Sequence, residues 1–166
     1  MFRFPNPVNE LAARTVAAGV LALALLTLVL SAALGFGWLW LTVPLAYGFV
    51  ARVLTGPTLS PLGQLATRVV ASRLGPARPV PGPPKRFAQG MGAAMSLAAV
   101  VAHFGFGADW VAVVLLGLIV VAATLESVFA FCIGCTIFAG LMRVGLIPAS
   151  ACEACANVSL RQPTAA

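Results

Sequence analysis

The residues best suited to chemistry are four cysteines near the C-terminal end of the chain. They form two pairs of identical spacing, Cys132-Ile-Gly-Cys135 (the first pair) and Cys152-Glu-Ala-Cys155 (the second pair), with 16 residues between them. Each pair can supply two ligands to a metal, and two such pairs about 15–20 residues apart are typical of a tetrahedral zinc site. The spacing therefore predicts that these four cysteines bind Zn2+ or, because spacing does not choose the metal, an iron centre.

The same spacing also suits thiol redox chemistry. Cysteines at positions i and i+3 of a helix end allow one thiolate to attack a substrate while the other resolves the mixed disulfide. In this interpretation the first pair is catalytic, and the second pair is a relay that hands electrons to it. The attacking thiol needs a lowered pKa, which local dipoles or a cation such as Arg143 or Arg86 would supply. Spacing alone favours metal over redox.

The elements that must position these cysteines are membrane helices. Of the 166 residues, 61% are hydrophobic and 8% are charged, whereas soluble domains average about 45–50% and about 25%. This composition excludes an ordinary soluble domain and makes the lipid bilayer the first expected partner. At about 20 residues a span, the length allows four spans and no separate soluble catalytic domain.

Two long apolar blocks predict four transmembrane helices in two hairpins. No charged residue occurs between Thr15 and Ala51. This uncharged block is too long for one crossing of a hydrocarbon core about 30 Å thick, and Gly35 and Gly37 break it. The second block is broken in the same way beside Asp109. The predicted fold is an all-α membrane protein with helices at about residues 15–33, 38–54, 87–105 and 110–131 in a membrane domain of residues 1–131, followed by a cysteine segment and tail of residues 132–166.

Two features predict how the second and third helices behave. Pro44 is expected to bend the second helix, because it lies inside it and lacks a backbone donor. In the third helix, Gly90, Ala94, Ala98 and Ala102 recur every four residues. This stripe either allows close approach of another helix or reflects only the high alanine content of the chain.

The basic residues predict the orientation. All ten Lys and Arg residues lie before the first helix, between the second and third, or after the fourth, and none lies in the hairpin turns. The positive-inside rule therefore places both termini and the connecting loop in the cytoplasm. A cytoplasmic tail disfavours permanent structural disulfides. A signal peptide is not expected, because the first apolar run exceeds the about 7–15 residues of a signal-peptide core.

The connecting loop predicts a short helix and a stiff linker. Ser60-Pro61 and Gly75-Pro76 are typical of a helix start and stop, which frame a helix over about residues 60–74. Its expected apolar face comprises Leu62, Leu65, Ala66, Val69, Val70 and Leu74. This pattern predicts an interfacial helix on the cytoplasmic leaflet. The sequence contains neither a phosphate-binding glycine loop nor a basic stripe interleaved with aromatic residues, so no nucleic-acid partner is expected.

Two ionisable residues stand apart inside the predicted helices. Glu126 lies about five residues from the inner end of the fourth helix, where an ionised carboxylate is costly unless it is paired. It is expected either to handle protons or to tie helices together through one of three arginines: Arg14, Arg52 or Arg86. On an uninterrupted helix Glu126 points well away from the first cysteine pair. His103, near the outer end of the third helix, is expected to be an interfacial, hydrogen-bonded residue.

Two segments resemble the signatures of an uncharacterised bacterial integral membrane protein family, the domain-of-unknown-function family 4395. They are Pro84-Lys-Arg-Phe-Ala-Gln-Gly90 before the third helix and the Phe-Cys-x-Gly-Cys motif at Phe131-Cys-Ile-Gly-Cys135. The resemblance implies four spans in a bacterial inner membrane. It also implies thiol or sulfur chemistry, since such proteins are often encoded beside thioredoxin-like and sulfurtransferase proteins. Glu126 departs from the small or amide residue expected at its position, so any role it has is particular to this protein.

The resemblance favours the redox interpretation. The predicted function is thiol-disulfide or sulfur-transfer chemistry at a four-cysteine site on the cytoplasmic face, with a soluble thioredoxin-like or sulfurtransferase partner. The alternative is a structural or assembly subunit of a larger membrane complex whose cysteines hold Zn2+ or iron. Transport is a third and weaker hypothesis that would need an oligomer, because four spans with one acid and one distant histidine offer little to line a path.

Overall fold

Long helices dominate the structure, a computed structural model that describes residues 6–152 and residue 155. In chain order the elements are β1 (Val8–Asn9), α1 (Glu10–Leu34), a 3-10 segment (Phe36–Leu41), α2 (Thr42–Thr55), α3 (Pro61–Leu65), a π-helical turn (Ala66–Val70), α4 (Ala71–Leu74), β2 (Pro79–Val80), α5 (Gly82–Phe106), α6 (Asp109–Phe129), α7 (Ile133–Arg143) and a 3-10 turn (Ala149–Ala151). The all-α prediction is confirmed, since the described strands are one pair of two residues each.

Four segments are long and apolar enough to cross a membrane. They are α1 with 25 residues, the segment Phe36–Thr55 with 20, α5 with 25 and α6 with 21. A bilayer core about 30 Å thick needs about 20 helical residues, so each is sufficient. Many large apolar side chains on these helices are exposed, such as Val29, Leu54 and Val121, as expected for surfaces that face lipid. The prediction of four spans in a membrane protein is confirmed at this level.

The second span differs from the sequence prediction around Pro44. The segment from Phe36 to Leu41 is a 3-10 helix, and the α-helix begins only at Thr42. Pro44 is therefore the third residue of α2, directly after the 3-10 segment that leads into it. The bend expected at Pro44 stays a prediction.

The spanning helices pack pairwise, with α1 against α6, α2 against α5, and α5 against α6. The closest approach on α5 is at Gly92, where a Cβ would lie 2.2 Å from the Phe49 ring. Beyond its first turn, the buried small residues of α5 are Gly92, Ala93, Ser96, Ala99 and Ala102. Ala94 and Ala98 of the predicted stripe are exposed. The small face therefore exists but is rotated from the predicted one, because the stripe was chosen by spacing without knowledge of the neighbouring helices.

The connecting loop is tied to the bundle at two places. Residues 61–74 form one continuous helical stretch, referred to below as the loop helix, and it packs on α1. Leu62 lies so close to Gly19 that a Cβ there would be 2.4 Å from the leucine side chain. Beyond the loop helix, β2 pairs antiparallel with β1, with Val8 opposite Val80. This strand pair was not predicted, and it holds the start of α1 beside the start of α5.

The faces of the loop helix also differ from the prediction. Its buried residues are Gly63, Ala66 and Ala71, of which only Ala66 was assigned to the apolar face. Leu65 and Leu74 are exposed, at 52% and 59%. The small residues pack on the protein because they allow close approach, which leaves the larger apolar side chains outward.

Candidate functional site

The first cysteine pair lies where α6 ends and α7 begins. Ala130 has a left-handed backbone conformation with φ 56° and terminates α6. The next residues turn the chain, so that Cys132 is the N-cap of α7. The sequence predicted that the fourth helix runs to residue 131 with the pair at its end. The observed break matters because it gives the pair a helix N-terminus of its own.

Gly134 fixes the position of this new helix. A Cβ at Gly134 would lie 2.5 Å from the Cβ of Ala88 and 2.6 Å from its Cα. Only glycine allows α7 to approach the backbone of α5 this closely. The packing is completed by Phe87 and Phe138, whose ring centroids are 5.7 Å apart. The glycine between the two cysteines is therefore the residue that sets the first pair against α5.

The sulfur of Cys132 accepts hydrogen bonds from Cys135. The backbone N–H of Cys135 donates to Cys132 Sγ at 3.3 Å, as expected of an N-cap side chain at a helix start. The Cys135 thiol donates a second hydrogen bond to the same sulfur. Cys132 is buried and Cys135 is half-buried. Both donors favour the thiolate form of Cys132.

The two thiols have opposite pKa shifts. The hydrogen bond from the Cys135 thiol lowers the pKa of Cys132, and the charge of Lys85 and the Cys135 backbone N–H add to this, while burial and the charge of Glu126 oppose it. Donating that hydrogen bond raises the pKa of Cys135, and burial adds to the rise. Since the thiolate is the nucleophilic form of cysteine, the lowered pKa makes Cys132 the more readily ionised of the two thiols.

Glu126 forms an ion pair that the sequence analysis did not identify. Lys85 Nζ lies 2.6 Å from Glu126 Oε1, and both side chains are largely buried, at 12% and 15% exposed. The expected partner was Arg14, Arg52 or Arg86. Lys85, the only lysine of the chain, was counted in the orientation argument alone. The sequence signal that could have identified Lys85 as the partner of Glu126 was its position at the start of a predicted span.

The three arginines have other hydrogen-bond partners. Arg14 donates from Nη2 to the Ser127 carbonyl at 3.0 Å, near the end of α6. Arg86 donates from Nε to the Val53 carbonyl at 3.1 Å. Arg52 donates to two side chains, which are described below. Among the described residues, none of these arginines forms an ion pair with Glu126 within 4 Å.

Glu126 also lies nearer the first cysteine pair than the sequence predicted. That prediction assumed a helix that continues without interruption from Glu126 to the cysteines. Because Ala130 ends α6 and the chain turns, Glu126 and Lys85 both interact electrostatically with Cys132 and Cys135. The site is therefore an acid, a base and two thiols grouped at one end of the bundle.

An open cleft of about 840 Å3 gives access to this group. Its lining includes Lys85, Cys132, Cys135, Thr136, Arg143 and Cys155. Cys132 also borders a smaller cavity of about 80 Å3 inside the bundle, together with Glu126 and Gln89. Cys132 therefore stands between the cleft and the interior of the bundle.

Residues 8–143 match the family model described as a domain of unknown function, DUF4395. The chain belongs to this family. The predicted family is thereby confirmed, and the match covers Cys132, Cys135, Lys85 and Glu126. No curated protein and no solved structure matches the chain.

The second cysteine pair lies beyond the DUF4395 region, and its two thiols are joined in a disulfide, Cys152–Cys155. The sequence disfavoured a permanent disulfide in the tail. Because Cys155 lines the same cleft as Cys132 and Cys135, this disulfide shares a cavity with two free thiols. Within the described part of the chain, no group of three or more His, Cys, Asp or Glu residues is placed to hold a metal ion. The four-cysteine zinc or iron site stays a prediction.

His103 lies at the opposite end of the DUF4395 bundle from the thiols. Its Nδ1 is 2.6 Å from Asp109 Oδ1, across the turn between α5 and α6. The hydrogen bond expected for His103 is present, and Asp109 is its partner. His103 therefore takes no part in the thiol site.

Proposed function

We propose that this protein is an integral membrane thiol-disulfide exchange protein, with Cys132 as nucleophile and Cys135 as resolving thiol. One observation carries the proposal: Cys132 caps the N-terminus of α7, and its sulfur accepts a hydrogen bond from the backbone N–H of Cys135 at 3.3 Å. A thiolate at a helix N-terminus beside a cation is the environment in which protein thiols become nucleophilic. Lys85 supplies the cation, and Glu126 holds it in place through a 2.6 Å ion pair.

The exchange proceeds in two steps. The Cys132 thiolate attacks one sulfur of a partner disulfide, which breaks the partner's S–S bond and forms a mixed disulfide, while the other partner sulfur leaves as a thiolate. Cys135 then loses its proton and attacks Cys132 Sγ, which releases the second partner sulfur. The partner has gained two electrons, and Cys132 and Cys135 are joined in a disulfide.

The second pair acts as the relay that regenerates the first. As a dithiol, Cys152 and Cys155 reduce the Cys132–Cys135 disulfide by the same two steps and become a disulfide themselves. A soluble dithiol of the thioredoxin-like class then reduces Cys152–Cys155. Two free thiols in the first pair and one disulfide in the second, on the same cleft, are the products that this transfer leaves.

Sulfur transfer is the related reaction that the same thiols can perform. The Cys132 thiolate attacks the outer sulfur of a partner persulfide of the sulfurtransferase class, so that the partner's S–S bond breaks, its thiolate leaves and a Cys132 persulfide forms. Cys135 attacks the inner sulfur, so that a disulfide forms and hydrosulfide leaves. This reaction uses the same nucleophile and the same resolving residue, and the cleft at Cys132 accepts the partner in both cases.

The proposed location is a bacterial inner membrane, crossed four times as two hairpins, with both termini and the loop helix on the cytoplasmic side. The support is the distribution of the ten basic residues, none of which lies in either hairpin turn. The cysteine segment and the cleft then face the cytosol, where a reducing partner is present.

Trapping of the mixed disulfide tests the function. Cys135→Ser leaves the nucleophile but removes the resolving thiol, so the full-length protein should accumulate a covalent adduct with a thioredoxin-like protein or a small disulfide substrate. Cys132→Ser is the matched control, with the same atom change three residues away, and it should form no adduct. The second pair is replaced by serines in both variants so that it cannot resolve the adduct.

Two results would overturn the proposal. One is equal adduct formation by the two variants, because the roles of the two thiols would then be exchangeable. The other is purified protein with about one zinc or iron per chain that is lost when any of the four cysteines is replaced. That result would support the alternative function, a structural or assembly subunit held by a metal.

A further inference from the structure

Arg52 is a buried cation. It lies three residues before the end of α2 and is only 5% exposed. Its Nε donates to Gln89 Oε1 at 2.8 Å, and its Nη1 donates to Ser60 Oγ at 3.2 Å. The guanidinium also stacks over the Phe49 ring, 4.8 Å from its centroid. The guanidinium therefore contacts three different elements: α2, α5 and the start of the loop helix.

The charge of this guanidinium is not balanced locally. Arg52 Nη2 is buried and has no hydrogen-bond partner among the described residues. Within that same set, no carboxylate lies within 4 Å of Arg52. Glu126 interacts with Arg52 at longer range, but it is already paired with Lys85. Arg52 and Lys85 are thus two buried cations, and the one carboxylate that interacts with both, Glu126, is paired with Lys85. An unpaired charge inside a membrane protein is costly enough to mark a functional site.

A cavity of about 190 Å3 adjoins the guanidinium. Its polar end holds Arg52, Ser60 and Tyr47, and its other walls are apolar, from Leu45 of α2 to Leu23 of α1. Arg52 and Leu45 are seven residues apart, so the cavity extends about 10 Å along α2 at 1.5 Å per residue. A cation at one end and an apolar wall at the other match an amphiphile with an anionic head.

We infer that Arg52 anchors a phosphate-class anion at the polar end of this cavity. The anion is either the headgroup of a phospholipid whose acyl chain follows the apolar walls or free inorganic phosphate. Guanidinium groups bind phosphate through two parallel hydrogen bonds, and Nη2 is the donor left over. Because protein atoms cover Nη2, the guanidinium must turn towards the cavity. Gly48 also lines the cavity, and a Cβ there would lie 3.1 Å from Nη1, so the guanidinium already borders it.

Ligand-induced stabilisation of the delipidated, full-length protein in detergent tests this site. The probes are phosphatidylglycerol, diacylglycerol with the same acyl chains, and inorganic phosphate. Phosphatidylglycerol is expected to raise the Tm and to remain bound in native mass spectrometry, whereas diacylglycerol, which lacks the phosphate, does neither. A Tm increase with inorganic phosphate alone would identify a free anion as the ligand. No increase with either phosphate-bearing probe would overturn the inference.

Three variants localise the effect. Arg52→Gln should raise the apparent Kd for the effective probe about tenfold or more, as expected for losing a charged hydrogen bond. Arg68→Gln makes the same charge change at an exposed position of the loop helix and should leave the Kd unchanged. Leu23→Phe narrows the apolar end without touching the guanidinium, so it should weaken the lipid and spare inorganic phosphate. If Arg52→Gln does not fold, the other two variants decide. Unaltered lipid binding by Leu23→Phe would overturn the lipid as the ligand. A Kd that Arg68→Gln raises as much as is expected for Arg52→Gln would overturn the site at Arg52.

Discussion

The hairpin of α5 and α6 carries an acid-base pair at each end. Lys85 and Glu126 meet at the end where α5 begins and α6 finishes, and His103 and Asp109 meet at the turn that joins the two helices. Both pairs have a separation of 2.6 Å. The partners are 41 residues apart in the first pair and six in the second.

The two pairs differ in what surrounds them. Lys85 and Glu126 are 12% and 15% exposed and act electrostatically on Cys132 and Cys135. His103 and Asp109 are 17% and 28% exposed and close a local turn. A buried pair that joins distant segments is costly to break, because one charge is left without a partner. A local pair in a turn contributes much less. The two ion pairs therefore have the same separation but different roles.

The largest effect is expected from Lys85→Met. It leaves Glu126 buried without its partner, and we expect the free energy of unfolding to fall by about 3–5 kcal/mol. Unfolding of the purified protein in mixed detergent-SDS micelles measures this. The double variant Lys85→Met, Glu126→Gln removes both charges and should recover most of the loss. A double variant no more stable than Lys85→Met would contradict the buried-pair assignment.

The next effect is expected at the contact that places the thiols beside this pair. Gly134→Ala puts a methyl group where Ala88 already stands, so α7 must shift, at a cost of about 1–3 kcal/mol. Gly140→Ala is the matched control in the same helix, because a Cβ there meets no atom within 4 Å. It should stabilise the protein by roughly 0.5–1 kcal/mol through helix propensity. The same micelle unfolding measurement distinguishes the two, and equal effects would contradict the close packing of α7.

The pH dependence of thiol alkylation tests whether the buried pair tunes the site. Because the pKa of Cys132 is lowered, its thiolate forms at lower pH, and its alkylation should have a midpoint below that of an ordinary cysteine. Cys135→Ala removes the principal hydrogen bond and should move the midpoint of Cys132 to higher pH. Lys85→Met should move it in the same direction by less, since the lysine charge is a smaller cause. A midpoint that neither variant moves would show that the hydrogen bond and the ion pair do not set the pKa of Cys132.

The smallest effect is expected from Asp109→Asn at the other end of the hairpin. The pair is local and partly exposed, so we expect a loss of about 1 kcal/mol or less. The alkylation profile of Cys132 should stay the same, because the turn lies at the far end of α5 and α6. A loss as large as that of Lys85→Met would remove the distinction between the two ends.

The sequence predicted the elements of the fold well because the relevant signals are local. The apolar blocks and the glycines between them predict four spans, and α1, α5 and α6 follow those blocks closely. The predicted start of the second helix differs from the observed one because a 3-10 segment, Phe36–Leu41, precedes α2. The predicted small-residue face of α5 was rotated from the observed one, because a stripe of alanines can be drawn on several faces of a helix rich in alanine.

The candidate site was predicted in part. The Cys-x-Gly-Cys spacing identified Cys132 and Cys135, and the intramembrane position identified Glu126 as a residue that needs a partner. Sequence reasoning could not choose Lys85 over three arginines, since which cation reaches the acid depends on how α5 and α6 pack. It also placed Glu126 away from the thiols, because the break at Ala130 has no glycine or proline to mark it.

The sequence by itself determined a four-span, all-α membrane protein with paired cysteines, because hydrophobic length and Cys-x-x-Cys spacing are properties of neighbouring residues. Only the tertiary structure decided which groups act together. Packing of α5 against α6 joined Lys85 to Glu126, and the approach of Gly134 to Ala88 set Cys132 at a helix N-terminus next to that pair. These contacts join residues as many as 46 positions apart, and their energies depend on burial, which no local pattern encodes.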